Sequence, residues 1–241
     1  MFRSGNPSLK ANVFTTAGTF DSSNAMTIQG TVNKTFLLLG LAVLGASLVW
    51  NNPFQWQWVI FPAAILALII AIITIRNKKI ANYTAPLYAF IEGILLGVLS
   101  SLMEKSFPGI VIQAVSLTFG TLFCLLMLYK SRIIKVTENF KLGVVSATGA
   151  ILLLYIVDLV FRFFGTGIPF IHESGTMGII FSLIVVSIAA LNLVLDFDFI
   201  EKGAEAGAPR YMEWYAAFGL LVTLIWLYLE ILRLLAKSKS R

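Results

Sequence analysis

The chain has 241 residues, of which 58% are hydrophobic and only 12% are charged, and its mean hydropathy is +0.87. Soluble domains carry about 25% charged residues, so this much apolar surface predicts an integral membrane protein whose solvent is the lipid bilayer. A single cysteine excludes an intramolecular disulfide, and a single histidine excludes a multi-histidine metal site. The net charge of +6 comes from basic clusters between apolar segments, which indicate membrane orientation and not nucleic-acid binding.

In chain order, a polar stretch at residues 1–32 is followed by seven apolar segments. The polar stretch lacks the basic start and compact apolar region of a signal peptide, so it is predicted to be a flexible tail. Each apolar segment approaches the ~20 residues needed to cross a bilayer, and in lipid each has to be a helix. We therefore predict an all-α, seven-helix transmembrane domain at 33–236 and a basic carboxyl-terminal tail at 237–241. The segments are 34–50, 57–75, 84–103, 110–129, 141–164, 176–200 and 211–236.

The distribution of lysine and arginine predicts the orientation of the helices. Most of these residues lie in the amino-terminal flank and in every second connection, whereas the opposite connections carry Lys105 and Arg162. The amino terminus is therefore predicted to be cytoplasmic. Seven crossings place the carboxyl terminus outside, although it carries Lys237, Lys239 and Arg241. Either this basic cluster is tolerated on the outer side, or the seventh segment does not cross the membrane as a simple helix.

Small residues predict one helix contact. The third segment carries Gly93 and Gly97 in GxxxG spacing. Glycines at this spacing let two membrane helices approach closely.

A few charged residues lie within the predicted helices, where charge is costly and usually faces the bundle interior. Asp158 and Arg162 have the i, i+4 spacing of an ion pair within one helix. Glu92 directly precedes the first GxxxG glycine, so it is not expected to face lipid, and it has either a structural or a pathway role. The acids concerned are Glu92, Asp158, Asp196, Asp198 and Glu230.

Helical geometry separates the two aspartates at the end of the sixth segment. Residues two apart point about 200° away from each other. The face of Asp196 continues through small or polar residues, so Asp196 is predicted to point inward. The face of Asp198 is bulkier, so Asp198 is predicted to lie at the cytoplasmic interface. The residues on the Asp196 face are Asn192, Ala189, Val185 and Gly178.

Glu230 in the seventh segment is also expected to point inward, because its face continues through Thr223, Gly219 and Ala216. Arg233, one turn further on, could instead neutralise it. Two carboxyl groups brought together in a low dielectric share one proton, which makes a proton-controlled latch. When ionised, Asp196 and Glu230 could transiently bind calcium, a cation that prefers oxygen ligands.

The sequence contains no GxSxG, HExxH or Walker motif. A retinal-binding protein would need a lysine deep in the seventh segment, and this segment has none before Lys237. We therefore predict no enzymatic activity and no resident cofactor.

Three stretches together resemble the Bax inhibitor (transmembrane Bax inhibitor motif) family, in its bacterial branch. The resemblance implies a seven-helix fold with a central helix, and a pH-sensitive calcium leak in the bacterial plasma membrane. It places Asp196 and Glu230 at the positions of an aspartate pair, with Glu in place of the usual Asp, and Arg76 at the position of an arginine latch. The stretches are YAFIEGILLG (88–97), LNLVLDFDFIEKG (191–203) and YMEWYAAFGLLVTLIWLYLEILRLLA (211–236).

Two alternatives stay open at this point. By helical rise, Asp196 lies about 10 Å and Glu230 about 30 Å from the cytoplasmic end. Glu213, at the start of the seventh segment, is therefore the other candidate partner for Asp196. The alternative function is a non-transporting protein that binds and modulates a membrane protease or another membrane complex.

Overall fold

The computed structural model describes residues 24–240, without the side chains of Phe170 and His172. Within this part of the chain, seven helices are long and apolar enough to cross a membrane, which confirms the predicted all-α fold. Short helices at Pro53–Trp56 and Pro169–His172 lie in two of the connections. The long helices are α1 (Ile28–Val49), α2 (Ile60–Arg76), α3 (Ala81–Ser106), α4 (Ile110–Lys130), α5 (Glu138–Phe163), α6 (Thr176–Glu205) and α7 (Met212–Lys239).

Helix α7 is the centre of the bundle. It contacts α1, α3, α4 and α6, and 61% of its most apolar stretch is buried, against 17% for α4 and for α5. Both hydrophobic clusters of the bundle include α7 side chains, such as Leu227 in one and Phe218 in the other. The central helix implied by the family resemblance is therefore α7.

The glycines of the GxxxG motif bring α3 against α1. A Cβ atom on Gly93 would lie 2.6 Å from the Ala42 Cα, and one on Gly97 would lie 2.6 Å from the Ala46 Cα. Both distances are too short for a carbon–carbon contact, so the two helix backbones touch at positions where only glycine fits. This result confirms the contact predicted from the spacing.

The helical domain begins earlier than the predicted boundary at residue 33. Thr27 caps α1 by accepting a hydrogen bond from the Gly30 N–H (2.9 Å). The preceding residues form a short antiparallel bridge to the α6–α7 connection, in which the Met26 N–H donates to the Ala208 carbonyl (2.6 Å). Met26 itself is buried. The remainder of the predicted tail, residues 1–23, lies outside the described residues.

Helix α7 is continuous to Lys239, so part of the predicted carboxyl-terminal tail is helical. The Lys237 ammonium is buried and donates to the carbonyls of Ile171 (2.7 Å) and Gly178 (3.0 Å) and to the Ser182 hydroxyl (2.8 Å). These acceptors belong to the start of α6 and to the connection before it. The seventh helix therefore crosses the whole bundle, and three oxygen partners explain why its basic end is tolerated.

We predict that Gly93→Ala lowers the free energy of unfolding by about 1–3 kcal/mol, because the added methyl group meets the α1 backbone. Thermal unfolding in detergent micelles, followed by circular dichroism, measures the change. Gly120→Ala in α4 is the matched control, since a Cβ there meets nothing within 4 Å. The control should be neutral or stabilised by up to about 1 kcal/mol, and equal losses in both variants would contradict the close contact.

The odd number of crossings predicts that the two ends of the chain lie on opposite sides of the membrane. In a Cys124→Ser background, Ser240→Cys should react with a membrane-impermeant maleimide in intact cells. Lys79→Cys, in the exposed α2–α3 connection, should react only after lysis, because the basic connections are predicted to be cytoplasmic. The reverse pattern would contradict the orientation, and labelling of both sites in intact cells would contradict the odd number of crossings.

Candidate functional site

A line of polar side chains follows the interface of α5, α6 and α7, which we call the α5–α6–α7 seam and define by Thr148, Tyr155, Asn192, Asp196 and Glu230. Asp196 has 0% of its surface exposed. The other residues of its predicted face, Asn192, Ala189, Val185 and Gly178, are buried as well. The structure therefore places Asp196 inside the bundle, with the orientation expected from helical periodicity.

Asn192 links α6 to α5 one turn from Asp196. Its side-chain amide donates to the Thr148 hydroxyl (2.8 Å) and to the Ile188 carbonyl of its own helix (2.8 Å). The Asn192 Oδ1 atom is buried and accepts no hydrogen bond from the described residues. A buried amide oxygen of this kind can accept a hydrogen bond from water or contact a cation.

Glu230 forms a second polar cluster with α5. Its carboxylate accepts hydrogen bonds from the Tyr155 hydroxyl (2.9 Å) and from Arg233 Nη1 (3.0 Å to each oxygen). Arg233 Nη1 also donates to the Tyr155 hydroxyl (2.8 Å). Glu230 is buried and points inward as predicted, and its nearest cation is the neighbouring Arg233.

Asp196 and Glu230 lie at different depths in the seam. Asp196 is nine residues before the end of α6 and Glu230 is eighteen residues after the start of α7. At ~1.5 Å per residue, they are about 14 Å and about 27 Å from the same end of the bundle. The structure does not bring these carboxylates together, so they do not form a joint calcium site in this conformation. Among the described residues there is also no group of three His, Cys, Asp or Glu side chains that could hold a metal ion.

Asp198 is buried, so its side chain does not have the solvent exposure expected of a residue at the cytoplasmic interface. Its side chain is 11% exposed and its carboxylate contacts the ammonium groups of Lys202 (2.6 Å) and Lys141 (3.3 Å). Lys141 comes from the first turns of α5, has a 3% exposed side chain and also contacts Glu138 (3.2 Å). The bulky face of α6 is covered at this end by α5, which supplies the Lys141 cation.

Glu201, one turn beyond Asp198 on α6, anchors the α4–α5 connection. Its carboxylate accepts hydrogen bonds from Arg132 Nη2 (2.7 Å) and Nη1 (3.2 Å), and also from the Tyr129 hydroxyl. The hydrogen bond and the charge of Glu201 raise the pKa of the Arg132 guanidinium, so this cation stays charged. Together with the Asp198 cluster, this ion pair holds the end of α6 against α5 and the α4–α5 connection.

Glu213 does not partner Asp196, because the start of α1 occupies its carboxylate. One carboxylate oxygen accepts from the backbone N–H and the hydroxyl of Thr27 (2.9 Å each), and the other is paired with Lys34. Gly30 makes the approach possible, since a Cβ at this position would overlap the Glu213 carboxylate. Glu213 therefore fastens the start of α7 to the start of α1.

Comparison with known proteins identifies the family. The family model described as Bax inhibitor 1 like matches residues 6–240. The chain belongs to this family. The match covers the seven-helix bundle and confirms the family resemblance of the stretches at 88–97, 191–203 and 211–236. No curated protein matches the chain.

The arginine latch implied by the Bax inhibitor resemblance is not formed in this conformation. Arg76 is exposed at the end of α2, and within residues 24–240 no hydrogen bond or ion pair joins it to an acid. The cations that contact acids near this end are Lys34, Arg132, Lys141 and Lys202. In the sequence, these four residues indicate only the orientation of the helices in the membrane. The position of residue 141 inside a predicted helix, rather than in a connection, was the signal that distinguished Lys141.

Asp158 and Arg162 form the ion pair that their spacing predicts. Arg162 Nε lies 3.1 Å from Asp158 Oδ2, which confirms the i, i+4 ion pair. Asp158 Oδ1 also accepts the Ile168 N–H (2.9 Å), so this acid orders the α5–α6 connection. Glu92 lies away from the seam, beside a cavity between α2, α3 and α7.

We predict that Lys141→Met lowers the free energy of unfolding by about 2 kcal/mol or more, because it leaves buried Asp198 with one cation instead of two. Arg132→Met is the matched control: its ion pair with Glu201 has a 64% exposed arginine, so the loss should stay below about 1 kcal/mol. Thermal unfolding of both variants in the same detergent measures the difference. Equal losses would show that the Lys141 ion pair is no stronger than a surface pair.

Proposed function

We propose that this protein is a pH-sensitive cation leak of the bacterial plasma membrane, with calcium as its cargo and Asp196 as the gate acid. One observation carries the proposal: Asp196 is fully buried on α6, and polar groups continue from it along the α5–α6–α7 seam. Acids inside membrane helices usually mark ion or proton pathways. Membership of the Bax inhibitor 1 like family supports a membrane protein of this type.

The seam offers oxygen ligands at successive depths. Asp196 and the free oxygen of Asn192 lie nearer one end, and Tyr155 and Glu230 lie nearer the other. Calcium prefers carboxylate, carbonyl and amide oxygens. Because the two carboxylates are separated along the membrane normal, a passing ion would bind them in sequence and not together.

In this proposal, protonation of Asp196 supplies the pH sensitivity. A proton on its carboxylate removes a buried negative charge from the α5–α6–α7 seam. Because the closed and open arrangements differ in how they hold this charge, acid shifts the population from closed to open. Lys141 holds the end of the seam closed through its contact with Asp198, and the exposed Arg76 joins only if α2 moves.

The proposal is tested by reconstituting the protein in liposomes that enclose a calcium-sensitive dye. The wild type should admit calcium faster as the pH falls from neutral to mildly acidic. Asp196→Asn should lose most of this pH dependence, because the asparagine cannot change its charge. Glu205→Gln, an exposed acid at the end of the same helix, is the matched control and should behave as the wild type does.

Two outcomes would overturn the proposal. One is an unchanged pH dependence in Asp196→Asn, which would remove Asp196 as the gate acid. The other is the absence of calcium flux in the wild type at every pH. The second result would favour the alternative function, a membrane protein that binds and modulates a membrane protease or another complex, and co-purification with such a partner would then be the next measurement.

A further inference from the structure

A cavity of about 310 Å³ lies between α2, α3 and α7, and of these helices α2 and α3 take no part in the α5–α6–α7 seam. Three alanines of α2, Ala64, Ala67 and Ala71, form one wall. Glu92 of α3 contributes the one carboxyl group among its lining residues. The cavity is thus apolar with a single acidic group, which is the composition of many small-molecule sites.

Glu92 lies deep in the membrane. It is eleven residues after the start of α3, which is about 16 Å along the helix axis. No hydrogen bond or ion pair reaches its carboxyl group from residues 24–240, in contrast to Glu104, which on the same helix accepts the N–H groups of Gly109 and Val111. An acid in this position is costly unless a cation or a proton donor accompanies it.

Two aromatic rings lie beside this carboxyl group. Tyr88, one turn before Glu92, and Phe218 of α7 both line the cavity, and their rings meet edge to face with centroids 5.0 Å apart and an interplanar angle of 77°. Aromatic rings attract ammonium groups through their negative faces, most strongly where water is excluded. A carboxyl group, two rings and a wall of alanines together suit a ligand with one ammonium group and an apolar body.

We propose that this cavity binds a hydrophobic monoammonium ion, such as a protonated primary alkylamine, with its ammonium on Glu92 and its alkyl chain along the alanine wall. An ethanolamine lipid offers the same ammonium group, but its headgroup resides at the membrane surface. The depth of Glu92 therefore favours a free amine that partitions into the bilayer. The site does not depend on the proposed cation leak, because α2 and α3 supply most of its walls.

The test uses radiolabelled hexylammonium and the full-length protein in phosphatidylcholine nanodiscs, with binding to empty nanodiscs subtracted. The wild type should show saturable binding that unlabelled hexylammonium displaces and 1-hexanol does not. Glu92→Gln should weaken binding about tenfold or more, since it removes a charge-assisted hydrogen bond. Glu205→Gln is the matched control and should bind as the wild type does.

A second variant tests the cavity while retaining the acid. Ala64 lines the cavity and is exposed, so Ala64→Phe should occlude the site without disturbing the packed core and should also reduce binding. Addition of phosphatidylethanolamine to the nanodiscs should not displace the amine. The proposal is overturned if hexanol competes equally well, if both variants bind as the wild type does, or if phosphatidylethanolamine displaces the amine and thereby identifies a lipid headgroup as the ligand.

Discussion

Lipid offers no hydrogen-bond partner to a buried charge, and this constraint governs how α7 is held in the bundle. Three of its charged residues, Glu213, Glu230 and Lys237, are buried, and each has partners on a different part of the chain. Glu213 is bound by the start of α1, Glu230 by Arg233 of its own helix and Tyr155 of α5, and Lys237 by oxygens at the start of α6. Because losing one member of a buried pair costs roughly 3–5 kcal/mol, α7 is fastened near its beginning, in its second half and at its end.

Small residues determine where the bundle is closed and where it is open. On α3, Gly93 and Gly97 let the α1 backbone approach until no space remains. On α2, three small residues, all alanines, line a cavity together with the rings of Tyr88 and Phe218. The two contacts differ in what packs against the small residues. The α1 backbone packs closely against the glycines of α3, whereas the rigid rings of Tyr88 and Phe218 do not fill the space beside the alanines of α2. The same helix α3 therefore has a tight contact on one side and a ligand-sized space on the other.

Local regularities of the sequence predicted much of this architecture. The seven helices follow from segment length, and the inward position of Asp196 follows from a 3.6-residue period, because both depend on neighbouring residues. The ion-pair partners depend on contacts between distant segments, and there the predictions were wrong or incomplete. Lys141 reaches Asp198 from another helix, and Thr27 and Lys34 reach Glu213 from the other end of the sequence. Helical periodicity predicts the direction in which a side chain points, but it does not predict which residues of other segments that side chain contacts.

The two ends of the α5–α6–α7 seam differ in a way that bears on the proposed leak. At the end where α6 finishes, the Asp198 carboxylate contacts Lys141 of α5 and Lys202 of its own helix, so an ion pair joins α5 to α6 there. At the other end, Lys237 of α7 is held by two carbonyls and a hydroxyl, and these acceptors carry no charge. In the proposed leak, the first end can therefore respond to a change of charge inside the seam, whereas the second end stays in place. Because Glu213 also fastens the beginning of α7 to α1, opening at the first end would separate α5 from α6 and leave α7 fixed.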